Sequence, residues 1–162
     1  MDSLPRFEAL KAELLALLTA DLATLERAQK GAFEAATHEE AKPENSKDTR
    51  ALEASYLARG HALRLEDLRA GLREVSSLGA GRFDDDSAAA SGALVTVEED
   101  GVTLSFFVAP YGGGHKLGAG RIQVVTPRSP IGRALNGKRV GDACEVAVEG
   151  RRRELSIVAI RG

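Results

Sequence analysis

Apolar residues fall at Phe7, Leu10, Leu14, Leu18, Leu22, Leu25, Ala28 and Ala32, in steps of three and four. That spacing gathers them on one stripe of an α-helix, with Glu8, Lys11, Glu13, Glu26, Arg27 and Lys30 mostly off it. Pro5 precedes the stripe, where its fixed φ suits a helix start. About thirty such residues would span about 45 Å. A second stripe runs through Ala51, Ala54, Ala58, His61, Leu65, Leu68, Leu72 and Val75 with heptad-like spacing. Asn45 or Ser46 can cap it, and Asp48 stands near its positive end. Two narrow stripes joined by a short polar turn predict an antiparallel coiled-coil hairpin over residues 1–78. Both stripes are Ala-rich toward the turn, so the helices can pass closely there.

The turn, residues 37–50, reads Thr-His-Glu-Glu-Ala-Lys-Pro-Glu-Asn-Ser-Lys-Asp-Thr-Arg. Its only apolar members are Ala41 and Pro43, so it cannot build a core. A carboxylate-rich turn at the end of two long helices reads as a tip that the helices deliver to a partner. His61 sits in the second stripe as a partly packed, partly wet seam residue, and no second metal ligand accompanies it. The charged run from Glu53 to Glu74 is a solvated helix face.

Between Gly79 and Gly92 the periodicity stops, and Gly79-Ala80-Gly81, Asp84-Asp85-Asp86 and an Ala/Ser run read as a linker over 79–92. The three aspartates lack the Gly and Glu that a calcium loop places after them. From Ala93 the period becomes two. Val95 and Val97 precede Glu98-Glu99-Asp100-Gly101, a hairpin signal, and Val102, Leu104, Phe106 and Val108 alternate after it, as do Ile122 and Val124. Tyr111-Gly112-Gly113-Gly114-His115 is Gly-rich, but no helix with a Gly-Lys-Ser/Thr opening follows to make a phosphate cradle. Ser129-Pro130 followed by Ile131 to Leu135 predicts a capped helix of one or two turns, stopped at Asn136-Gly137. A last hairpin is expected around Glu149-Gly150, with Arg151-Arg152-Arg153 beside it as a solvated end or a basic clamp on an acidic partner. The fold class is α+β: a helical hairpin, then over 93–162 a small, mainly antiparallel β domain with one short helix.

Composition narrows the function. The 162 residues carry a net charge of −2, which argues against binding nucleic acid by bulk electrostatics. Aromatics are 4% with no Trp, so the core is built of Leu, Val, Ile and Ala. Cys144, the lone cysteine, is read as a buried small hydrophobe. No basic, then continuously apolar leader opens the chain, and no stretch approaches the ~18 apolar residues of a membrane span. A cytoplasmic protein with no membrane contact is expected.

Two stretches resemble a known family. The run Ser129-Pro130-Ile131-Gly132-Arg133-Ala134-Leu135-Asn136-Gly137-Lys138-Arg139-Val140-Gly141-Asp142, continuing into Glu145-Val146, resembles the C-terminal motif of the bacterial GreA and GreB factors. The tip, with Pro43-Glu44-Asn45 followed by Lys47-Asp48, resembles more loosely their Asp-Leu-Lys-Glu-Asn-Ala turn. The resemblance spans the chain in the same domain order. It implies an FKBP-like C-terminal domain that docks on the rim of the RNA polymerase secondary channel, here through Arg128, Ser129, Pro130, Ile131 and Arg133. It also implies a coiled coil that carries the tip to the polymerase active centre, near the nascent RNA. There the tip carboxylates, Glu44 first and then Glu40, Glu39 and Asp48, would help hold a Mg²⁺ ion that belongs to the polymerase, with Pro43 and Asn45 shaping the turn. The chain would hold no metal or cofactor of its own, act as a monomer, and be no enzyme itself.

Two departures qualify the expectation. With Glu44-Asn45 aligned on the family's Glu-Asn, the first family Asp falls on Ala41, whose methyl group cannot ligate a metal. Arg128 stands where the family often has a small or acidic residue. Cleavage of backtracked RNA and occupation of the channel without cleavage therefore both stay open. A prolyl isomerase, suggested by the FKBP-like fold alone, would need an aromatic-lined pocket. The domain offers Phe83, Phe106, Phe107 and Tyr111, and the adjacent pair must face opposite sides of a strand.

Overall fold

The computed structural model describes residues 3–40 and 48–162. In order, the elements are α1 (Phe7–Glu40), α2 (Asp48–Ser76), β1 (Leu94–Glu99), β2 (Val102–Val108), β3 (Lys116–Leu117), β4 (Ile122–Val125), α3 (Pro130–Leu135), β5 (Ala143–Val148) and β6 (Arg151–Arg161). The expected α+β order, two long helices and then a sheet domain with a short helix, is present. The chain forms two compact units, one of Met1–Leu17 with Arg73–Gly162 and the other of Leu18–Leu72.

The first unit is built on one six-stranded sheet in the order β3-β4-β2-β1-β6-β5. The β1–β2 and β5–β6 hairpins turn on Asp100-Gly101 and Glu149-Gly150, with φ of 50° and 78°, then 53° and 76°. Positive φ at both positions matches the right-handed twist of the strands, which is why a glycine follows each acid. The sheet is mixed rather than wholly antiparallel, because β2 and β4 run parallel while the other pairings are antiparallel. Two reversals, through 111–114 and again at 118–120, return the chain to the direction of β2 and place β4 between β3 and β2. The β1–β6 register shifts at Thr96/Val97, where Thr96 pairs Ala159 and Val97 pairs Ile157. Val158 is the extra residue of this bulge and is exposed. The insertion lets Ile157 and Ile160, three apart, bury on the same face.

Both faces of the sheet are apolar. Val95, Val97, Phe106, Val108, Leu155, Ile157 and Ile160 form one cluster with Ile131 and Leu135 of α3 and with Ala89, Cys144 and Val146. Burial pushes the Cys144 thiol above its ordinary pKa, in keeping with a small core hydrophobe. Phe107, fully buried, faces the other way. Its ring meets that of Phe7 edge-on, with centroids 6.1 Å apart and planes at 64°. Nearby, the Glu13 carboxylate accepts a hydrogen bond from the Gly118 N–H at 3.0 Å. Lys11 Nζ donates to the Leu78 carbonyl at 2.9 Å, satisfying an acceptor just past the end of α2.

In the second unit α1 and α2 run antiparallel. Glu26 meets Arg69 at 3.4 Å, and seven residues further along α1, Phe33 shares a groove with Ala58 and Ala62. The α2 stripe is buried at Leu65 and Leu68 and half-buried at Ala58 and His61. On α1 the stripe departs from expectation at one place: Ala28 is exposed and Gln29 is half-buried. The inward positions are Leu22, Leu25, Gln29 and Ala32, a three-four-three spacing that keeps a narrow seam facing its partner. His61 Nδ1 is enclosed with no hydrogen-bond partner among the described residues, a cost an apolar residue would avoid.

At the open end of the sheet Arg153 grips Glu99 with two hydrogen bonds, Nε to Oε2 at 2.8 Å and Nη2 to Oε1 at 2.9 Å. The side chains keep 28% and 19% of their surface exposed, so the pair is neither fully screened nor fully desolvated. The Arg153 hydrogen bond holds the Glu99 carboxyl below the usual glutamate range despite partial burial. A depressed folded-state pKa gives stability that is present above the unfolded value and lost as pH falls through the folded one. Wild type should therefore exceed Glu99→Gln by about 1 kcal/mol at neutral pH. Urea denaturation repeated at falling pH should show that gap closing below the ordinary glutamate range. A gap that stays constant would show that Glu99 acts by shape rather than charge.

Candidate functional site

The docking segment is built around one carbonyl. The Thr126 oxygen accepts from the Ser129 N–H at 3.0 Å and from Ser129 Oγ at 2.8 Å. Ser129 Oγ in turn accepts from the Gly132 N–H at 3.1 Å, so one hydroxyl closes the loop and caps α3. Ser129 has extended backbone, φ −73° and ψ 156°, and Pro130 occupies the first turn, as the motif predicts. The Arg133 N–H donates to the Ser129 carbonyl at 2.8 Å, and the Asn136 N–H to that of Gly132 at 3.0 Å. Beyond the helix, the Gly137 N–H reaches the Ala89 carbonyl and the Ala89 N–H reaches the Lys138 carbonyl, both at 2.8 Å. The Arg139 guanidinium also donates to the Asp86 carbonyl. These supports come from 86–89, which no sequence pattern marks because the bonds are to backbone. Asp84, in the triple-aspartate run, accepts through Oδ1 from the Asp86 N–H and from Ser87 Oγ, a local turn.

Of the five residues expected from the sequence to dock, Arg128, Pro130 and Arg133 are exposed, Ser129 is half-buried as the cap, and Ile131 is in the core at 7% exposure. The segment thus divides its work: Ser129 and Ile131 hold the loop, and the two arginines and the proline are displayed. Of the tip residues, Glu39 and Glu40 end α1 and Asp48 begins α2. Ala41, Pro43, Glu44 and Asn45 lie outside the described residues. Phe106 and Phe107 are buried on opposite faces of the sheet, so they do not line a common pocket.

Gly132 has no room for a side chain. A Cβ there would lie 1.7 Å from the Thr126 carbonyl oxygen, which is backbone and cannot swing aside. Gly132→Ala should lower stability by about 3 kcal/mol or more, since the loop or the helix must move. Ser129→Ala should cost about 1 kcal/mol, the usual loss of a cap. Thermal unfolding of both variants checks the order. An unchanged melting temperature for Gly132→Ala would refute the close approach.

Residues 114–162 match the family model described as "Transcription elongation factor, GreA/GreB, C-term". No curated protein matches the chain. Among solved structures, GreA factor homolog 1 (Gfh1) of Thermus thermophilus is 19% identical, over 91% of this chain and 94% of that one, with a TM-score of 0.41. Thermus aquaticus Gfh1 is 22% identical over 91% and 93%, with a TM-score of 0.39. A GreA/GreB elongation factor from Nitrosomonas europaea is 16% identical over 60% and 79%, with a TM-score of 0.35. The matched segment contains the Ser129 cap, the Gly132 contact and the β5–β6 hairpin. Over residues 114–162, therefore, the chain is similar to the C-terminal domain of the GreA/GreB transcription elongation factors.

Proposed function

We propose that this chain binds bacterial RNA polymerase through the α3 loop and inserts the 37–50 tip into the secondary channel, where it modulates elongation. The observation that carries this reading is the family match over 114–162, on the segment where the Ser129 cap displays Arg128, Pro130 and Arg133. Guanidinium groups next to a rigid proline suit a partner surface that offers carboxylates, because the fork of Arg matches them two bonds at a time. The α1–α2 hairpin supplies the reach, since the 34 residues of α1 span about 51 Å at the helical rise.

At the far end, the chemistry belongs to the polymerase. In-line hydrolysis of RNA is served by two metal ions that stabilise the attacking and leaving oxygens. Mg²⁺ takes oxygen ligands, usually one or two carboxylates with the rest water or phosphate. Glu44, with Glu40, Glu39 or Asp48, would lend such a carboxylate and orient a water without this chain being an enzyme. Ala41 favours a second outcome, because a methyl in place of the first tip carboxylate leaves one ligand fewer. In that case the chain fills the channel and competes with cleavage factors.

The deciding measurement uses backtracked elongation complexes with end-labelled RNA. On the cleavage reading wild type shortens the transcript, and Glu40→Ala with Glu44→Ala abolishes shortening without changing polymerase affinity. On the occupancy reading wild type leaves the RNA intact and slows an added cleavage factor. Arg128→Glu with Arg133→Glu should weaken binding by about tenfold or more on either reading, as expected for lost charged hydrogen bonds. Failure of wild type to bind core polymerase would sink both.

A further inference from the structure

The sheet face that carries α3 is not covered to its end. Along β2 its residues run Val108, Phe106, Leu104 and Val102, and burial fades from complete at Val108 to 58% exposure at Val102. Along β4 the same face changes from Val125 to Gln123, with Arg121 just before the strand. The alternation that builds the core thus becomes cationic at the open end. There Leu104, Phe106, Lys116, Arg121, Gln123 and Arg153 line a cavity of about 170 Å³. The floor is apolar, two walls carry positive charge, and none of the lining belongs to residues 128–133.

The charges on these walls are held but not satisfied. Arg121 is exposed and donates Nε to the Gly118 carbonyl at 3.0 Å, a bond that does not use its terminal nitrogens. Arg153 is clamped by Glu99, and Arg151 lies near enough to act on the same carboxylate. Lys116 is exposed and has no hydrogen-bond or ion-pair partner among the described residues. Three cationic groups and no carboxylate line the cavity, in a chain whose net charge is −2, and the carboxylates bound beside it are Glu99 on Arg153 and Glu13 on the Gly118 N–H. A local positive excess beside an apolar floor is the arrangement that charge-complementary recognition uses.

Size and chemistry choose the ligand class. At about 170 Å³ the cavity falls below the ~300 Å³ at which small-molecule sites begin, and it suits one or two side chains. Nucleic acid is disfavoured because bases need an exposed ring to stack on, and Phe106, the only aromatic in the lining, is 3% exposed. Carboxylates beside an aliphatic side chain satisfy both parts of the site, since Arg pairs carboxylates in its own plane while Leu104 and Phe106 receive the apolar group. We propose that this cationic-walled groove at the β3–β4 end of the sheet docks an acidic segment of a partner protein, with an aliphatic residue on the floor and flanking Asp or Glu on Lys116, Arg121 and Arg153. This assigns Arg153 a second use, as a wall set in place by Glu99, and goes beyond polymerase docking through the α3 loop.

The test needs no polymerase, so its failure is separate from that of the proposed function. The full chain is titrated against a fluorescein-labelled peptide of two leucines flanked by Glu and Asp, its Gln/Asn counterpart, and a short uridine oligonucleotide, with polarisation as the readout. The acidic peptide should bind and weaken with salt. Lys116→Glu and Arg121→Glu should each cut its affinity by about tenfold, and Arg82→Glu, at an exposed position outside the lining, should leave it unchanged. Both reversals are at exposed positions, and an unaltered melting temperature confirms intact variants. The proposal is overturned if the acidic peptide does not bind, if its Gln/Asn counterpart binds equally, if the reversals have no effect, or if the oligonucleotide binds more tightly.

Discussion

Phe106 and Phe107 are neighbours in β2, so the pleat sends them to opposite faces of the sheet, and both are buried. A sheet with an aromatic ring on each side has no face it can leave to water. Ile131 and Leu135 of α3 serve one side, and Phe7, at the start of α1, meets Phe107 on the other. The first residues of the longest helix are therefore sheet-covering residues before they are hairpin residues. The same constraint explains why the sheet is mixed. With β4 beside β2, Ile122 and Val124 join the Phe107 side while Val125 joins the Phe106 side.

That double demand sets how far the fold could be read from the sequence. Local signals carried well: the three-and-four stripes of α1 and α2, the Asp-Gly and Glu-Gly turns, and the Ser-Pro cap of α3 are each decided within a few residues. What the sequence did not show depends on distant partners. Nothing in the spacing of Phe7, Leu10 and Leu14 distinguishes a helix–helix seam from a contact with a strand a hundred residues later. Nor could alternation reveal that β4 pairs parallel with β2, because period two is the same in either direction. The shift from Ala28 to Gln29 escaped for a simpler reason, since Ala marks a helix stripe only weakly and a Gln can lie half-buried in a seam.

The candidate site was legible to very different degrees at its two ends. In the segment expected to dock, three residues are tied to the fold: Ser129 to the Thr126 carbonyl, Ile131 to the core, Gly132 to a space with no room for a methyl. Residues under that much constraint form a recognisable motif, although the motif cannot say which of them a partner touches. Ile131 illustrates the point, being read as a docking residue and placed in the core. The exposed members, Arg128, Pro130 and Arg133, are free to follow the partner's chemistry.

The tip stands at the other extreme. Residues 41–47 contribute only Ala41 and Pro43 as apolar groups, so no core constrains the choice at the remaining positions. The same freedom makes Ala41 informative. In a core, Ala for Asp would be weighed against packing and desolvation; in a stretch read from sequence as a polar turn, it bears on ligand chemistry first. Glu39 and Glu40 each place a carboxylate one methylene further from the backbone than Asp would, on the last residues of α1. On the proposed function, the choice between assisting cleavage and occupying the channel is therefore a question about the reach of two or three side chains, and not about the fold that carries them.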